Sequence, residues 1–140
     1  MATLVYFDQF LKNQNDGTAA IDFDTNTIKV ALSNTAPTAT TDNYFDDITE
    51  LAAGDGYDAG GKTLTVSPTL DTTNHRWDLD VDDQTWTFTA SKTFRYAIYY
   101  KSTGTAGTSP LIAYSDLGAQ TVTGDFQLNV DGTYLFRFAK

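Results

Sequence analysis

A chain of 140 residues with no cysteine excludes a disulfide framework, a thiolate nucleophile and any zinc site built on thiolates. Nine lysines and arginines against eighteen acidic residues leave a net charge of −9, which cannot supply the basic stripe that direct nucleic-acid binding needs. The acid is nearly all aspartate, Glu50 being the one glutamate, and with abundant Thr, Tyr and Phe this favours strands joined by tight turns.

The length suits one domain over 1–140, able to bury about two-thirds of the surface its unfolded form exposes. Met1-Ala2-Thr3-Leu4 opens no basic segment followed by an apolar run, so no secretory signal is expected. No stretch reaches the about eighteen apolar residues of a membrane span either, and no membrane partner is expected. The first predicted element is a helix over 1–16. Leu4, Phe7 and Leu11 fall at i, i+3 and i+7 with Phe10 beside them, an apolar stripe in which Phe10 reads as core. The 13–17 segment, ending in Gly17, stops it.

The period then changes to two. Ile21 and Phe23 alternate with Asp22 and Asp24, Asp24-Thr25-Asn26 makes a turn, and Ile28, Val30 and Leu32 alternate with Lys29 and Ala31. Residues 22–32 therefore read as a hairpin on the core. A long Gly- and Asp-rich loop is expected over 33–61, with Pro37, a helical turn at 48–52, and Gly54, Gly56, Gly60 and Gly61 around Tyr57. Connections of that length carry function or are ordered by a partner, the plainer alternative being a cover over one end of the sheet.

The main run of strands is expected over 62–140. Leu64 and Val66 form one that ends at Pro68. Trp77, Leu79 and Val81 alternate with Asp78, Asp80 and Asp82; Trp86 and Phe88 alternate with threonines; and Phe94, Tyr96, Ile98 and Tyr100 form another strand. Strands at 111–115, through Phe126, Leu128 and Val130, and through Tyr134, Phe136 and Phe138 follow, with Asp131-Gly132 as a hairpin turn between the last two. The 102–110 connection, holding Gly104 and Gly107, is too long for a tight turn and projects as a loop. The predicted fold class is mainly β, an antiparallel sandwich or partly closed barrel with a short N-terminal helix.

No catalytic set emerges. His75, the one histidine, sits in a turn between strands with no nucleophile elbow in the chain, and neither a P-loop nor a dinucleotide fingerprint is present. No pair of carboxylates is singled out for sugar hydrolysis. Asp78, Asp80, Asp82 and Asp83 are the only candidate metal ligands, for Ca²⁺. A calcium loop would need Gly where Asp83 stands and Glu where Thr89 stands, so the better reading is the solvent face of a strand whose other face is apolar. The expectation is no enzyme, no metal and no cofactor. Trp77 and Trp86 fall in phase with apolar neighbours and read as core, while Tyr44, Phe45, Tyr57 and Tyr99 are candidates for partner contact, Tyr99 because it is out of phase with Phe94 and Ile98.

Four stretches, 21–32 (IDFDTNTIKVAL), 56–64 (GYDAGGKTL), 97–101 (AIYYK) and 109–114 (SPLIAY), with the Thr103-Gly104-Thr105 loop, together resemble a family of small virion structural proteins of tailed bacteriophages. The family comprises head decoration (cement) proteins and minor tail proteins. The resemblance implies a non-enzymatic capsid decoration protein, made in the bacterial host cytoplasm and carried in the virion, on the outside of the major capsid protein lattice. Its partners would be the major capsid protein or other virion proteins, and copies of itself in a homo-oligomer, a trimer by preference. The alternatives are a neck or tail adaptor or minor tail protein and, from a different class, a carbohydrate-binding module.

Overall fold

The computed structural model describes residues 3–129 and 134–140, so the predicted Asp131-Gly132 turn lies outside the described residues. In chain order the elements are β1 (Leu4–Tyr6), α1 (Asp8–Asp16), β2 (Ile28–Ser33), β3 (Lys62–Thr63), β4 (Val66–Asp71), β5 (Arg76–Val81), β6 (Gln84–Lys101), β7 (Leu111–Leu128) and β8 (Phe136–Ala139). They form a five-stranded sheet in the order β1-β7-β6-β2-β3 and a three-stranded sheet in the order β4-β5-β8, with every named pairing antiparallel. The arrangement is a sandwich, not a closed barrel, with one short helix near the N-terminus.

An aromatic core joins the layers. Tyr99 and Tyr6 lie on one face of the large sheet, and Phe136 of β8 meets both, at 5.7 and 6.4 Å between ring centroids. Phe23 packs on Phe136 at 5.5 Å and on Phe10 of α1 at 6.3 Å. The opposite face of the large sheet is covered by the 34–61 loop, where Phe45 stacks on Tyr100 with centroids 4.0 Å apart and planes within 9°. With both faces covered, β2 is buried at Ile28, Val30, Ala31 and Leu32, and β6 is buried from Ala97 through Tyr100. Such continuous burial marks a strand with no solvent side.

Several expectations are corrected. The helix starts at Asp8, not within the first few residues, because Leu4–Tyr6 pairs with β7 (Leu4 opposite Ser115, Tyr6 opposite Ala113) and backbone pairing wins over helical period. Leu11, a member of the expected stripe, is 51% exposed, whereas Phe7 and Phe10 enter the core. Gly17 does end the helix, in the left-handed conformation with its N–H donating to the Asn13 carbonyl. The 22–32 hairpin does not form. Only β2 is a strand; Ile21 and Phe23 are buried outside any ladder, and the turn closes through the Asn26 N–H onto the Asp22 carbonyl at 2.8 Å.

Pro68 lies inside β4 opposite Leu79, where an edge strand tolerates its missing N–H. The strands expected at Trp86–Phe88 and Phe94–Tyr100 are one element, β6. Those expected at 111–115 and around Phe126 are likewise one, β7. Phe88 faces Gly124 and Lys92 faces Val122, so β6 takes extra residues in a bulge where its sequence, Thr89-Ala90-Ser91, resembles a turn.

Candidate functional site

The aspartate row of β5 is taken up by the protein itself. Asp78 is buried, not solvent-facing, because Arg137 of β8 lies opposite it and donates to both carboxylate oxygens at 2.6 and 2.8 Å. Arg76 adds a contact at 3.3 Å and bridges to Asp71 at 3.2 Å. Asp80 accepts from the Val81 N–H, and Asp82 accepts from the Thr65 N–H and the Gln84 amide. Among the described residues no three His, Cys, Asp or Glu side chains are grouped to hold a metal ion. Asp71, Asp78, Arg76 and Arg137 together form a charge ladder across the outer face of the small sheet.

That ladder has a pH signature. The Arg137 hydrogen bonds hold the Asp78 carboxyl below its usual value. A depressed folded value contributes stability that is present above the unfolded carboxylate range and is lost as the pH falls through the folded value. Arg137→Gln is therefore expected to lower stability at neutral pH and to converge with wild type in acid. Denaturant titrations across that range check this; a gap independent of pH would contradict it.

Of the four aromatics expected to meet a partner, three serve the fold. Tyr99 is corrected outright: it is fully buried against Phe136, its face set by register shifts in the β6–β7 ladder, including those between Phe94 and Tyr96 and between Tyr99 and Tyr100. Phe45 and Tyr57 are buried under the loop that carries them. Tyr44 keeps a half-exposed side chain beside an isolated bridge to Pro110. The Tyr99 hydroxyl is buried with no protein hydrogen-bond partner. Tyr99→Phe is accordingly expected to leave stability unchanged or raise it by about 1 kcal/mol, since an unpartnered buried hydroxyl carries a desolvation cost. A loss of more than about 1 kcal/mol on denaturation would show that the hydroxyl is satisfied.

The 34–61 loop is tied together by Glu50 and fastened to the sheet through Tyr57, Gly60 and Leu51. Glu50 accepts from the Gly60 N–H and from the Tyr57 hydroxyl, which itself accepts from the Leu32 N–H at 3.0 Å. Tyr100 donates to the Gly60 carbonyl at 2.6 Å, and the Leu51 N–H reaches the Leu32 carbonyl at 2.8 Å. Burial raises the Glu50 carboxyl above its usual value despite these donors and the nearby Lys29 charge. The sign is opposite to that of Asp78: a raised folded value favours the fold below the unfolded range and is lost as the pH rises through the folded value. Glu50→Gln, which keeps an acceptor, is expected to stabilise at neutral pH, with the gain shrinking in acid. Thermal melts at several pH values test this, and a gain that grows in acid would refute it.

Several surface depressions remain. One is an apolar cleft of about 250 Å³ between α1 and the small sheet, lined by Phe10, Leu11, Phe23, Trp77 and Phe138. Here Trp77 is half-exposed, while Trp86 is buried with Lys62 over its ring at 5.8 Å. Two others flank the 102–110 loop and carry Lys29 and Lys101, residues the sequence reading did not single out because lysines among strand residues look like solvated positions. His75 is exposed in the β4–β5 turn with a positive φ of 55°. No protein-family model matches the chain, and neither the curated proteins nor the solved structures compared with it yield a match. Among the described residues no helix is long and apolar enough to cross a membrane.

Proposed function

We propose that this chain is a non-enzymatic structural protein of a tailed-phage particle, a decoration protein seated on the outside of the major capsid protein lattice. The observation that carries this reading is where the four resembling stretches lie. Residues 28–32 form most of β2, and 97–101 end β6 opposite them; 62–63 form β3 on the far edge of β2, and 111–114 open β7 beside β6. The resembling stretches thus fall on contiguous neighbours of one sheet and the loop over it. An acidic exterior suits a position outside a shell, away from packaged DNA. Modest contacts suffice there, because a lattice engages many copies at once.

The test is quantitative mass spectrometry of purified particles together with an image reconstruction. A copy number matching the shell subunits and density on the outer face would support the reading. A single ring at the neck would favour the tail alternative, and absence from the particle would reject both. The carbohydrate reading keeps only Trp77 as a platform, since Trp86 is enclosed; a glycan array without hits would dismiss it.

A further inference from the structure

Among the described residues the two sheets end on β1, β3, β4 and β8, and each of these edges is short or guarded. β1 has three residues, β3 two and β8 four, while β4 carries Pro68, which has no N–H to offer a neighbour. The long ribbon adds two more edges, because β2 reaches β6 only from Tyr96 to Lys101 and β1 reaches β7 only from Ala113 to Ser115. The one on β6 is covered by the 54–57 turn. There the Thr89 N–H donates to the Asp55 carbonyl at 3.0 Å, and a Cβ on Gly56 would fall 2.1 Å from the Thr87 carbonyl oxygen.

The edge on β7 is guarded only at its start. The Gly118 N–H donates to the Asp116 carboxylate at 2.9 Å, and the Gln120 amide donates to the Leu117 carbonyl at 3.0 Å. Beyond Gly118, among the described residues, β6 is the one strand paired with β7. Gly118 and Gly124 have φ of 74° and 90°, and each lies at a register shift, so the strand bends at both. The stretch from Ala119 to Gly124 holds no charge and no proline. Ala119, Thr121 and Thr123 are exposed, whereas Gln120 and Val122, opposite Phe94 and Lys92, are half-buried on the inner face. An edge without charge or proline is a template for another strand.

We propose that two copies of this chain pair through this edge, antiparallel and centred on Val122, joining their large sheets into one. The stretch is complementary to itself. A two-fold axis at Val122 sets Val122 against Val122, Thr121 against Thr123 and Gln120 against Gly124. Residues directly opposite share a face, so the half-open apolar side chains meet inside and the threonines meet outside. Charge permits it as well: each copy carries a net charge of −9, yet in this register Asp125 meets Ala119 and no carboxylate faces another. The seam has the length of an ordinary strand. The pair is therefore weak in free solution and gains strength where copies are held side by side on a surface. Its symmetry is two-fold, in place of the trimer that the resemblance implies, and it does not depend on the particle reading.

The chain has no cysteine, so single cysteines report the seam. Thr121→Cys and Thr123→Cys change exposed positions, and Leu70→Cys on β4 is an exposed control; unchanged melting temperatures check that each variant folds. Under mild oxidation an equimolar mixture of Thr121→Cys and Thr123→Cys is expected to form its mixed disulfide at least about tenfold faster than Leu70→Cys crosslinks, because directly opposite residues lie within disulfide reach. In parallel, sedimentation of the unaltered chain at physiological salt is expected to show a mass rising from one copy toward two with concentration. The double variant Thr121→Lys with Thr123→Lys, which sets like charges across the seam, should stay at one copy. A mixed disulfide no faster than the control overturns the proposal, whatever the mass. So does a pair that the lysine variant retains, since another surface then holds it. Where the unaltered chain sediments as one copy throughout, the disulfide rate alone decides.

Discussion

Phe136→Ala is expected to destabilise the protein by about 3–5 kcal/mol, the range for removing a fully buried aromatic ring. Phe136 is inaccessible to solvent and contacts Tyr6, Phe23 and Tyr99, which come from β1, the 17–27 connection and β6. Phe138, the other ring of β8, is only half-buried and meets the large sheet at Tyr6 alone, its further ring contacts being Phe10, Phe23 and Trp77. A cavity at Phe136 therefore opens the seam between the layers, and neighbours held by two ladders have little freedom to collapse into it. Denaturant unfolding should show a lower midpoint with a slope unchanged. A loss under about 1 kcal/mol would mean that the layers do not depend on this contact.

The second large effect belongs to Gly61→Ala. Gly61 has φ of 74°, and a Cβ there would fall 1.9 Å from the Val30 carbonyl oxygen and 2.7 Å from the Ala31 Cα. Both neighbours are backbone of β2, so neither can give way. The conformational strain alone costs roughly 1–3 kcal/mol, and the collision adds to it. The expected outcome is local as well as global. β3 should detach from β2, and with it the Gly60 contacts to Glu50 and Tyr100. Hydrogen exchange should quicken at Leu64 and Leu51, whose N–H groups donate to β2 carbonyls, before the β6–β7 amides respond. Uniform acceleration would indicate that the loop and the sheet open as one unit.

How much of this was legible beforehand depends on what decides each element. The inner face of β5 was readable because Trp77, Leu79 and Val81 alternate with acids and the strand has one apolar side. The class of fold followed from many such runs. The outer face was not readable: Asp78 and Arg137 are far apart in the chain, and only the β5–β8 register makes a carboxylate row into paired charges. Tyr99 defeated the phase argument because β6 is enclosed on both faces and shifts register nearby, so alternation no longer separates inside from outside. β1 was missed because a three-residue strand has no period of its own and exists through its partner.

The length of β6 and β7 also sets an order of assembly. Their ladder runs from Tyr100 opposite Leu111 out to Gln84 opposite Leu128, across a single connecting loop, so each rung closes little more chain than the one before. By contrast, β1 must bring the start of the chain to Ser115, and β2 must find β6 across the entire 34–83 interval. Closing such distant segments costs more entropy and slows folding. The ribbon is thus the template on which the ends of the chain are laid down. The 102–110 loop at its inner end is the first part of the surface to acquire its shape.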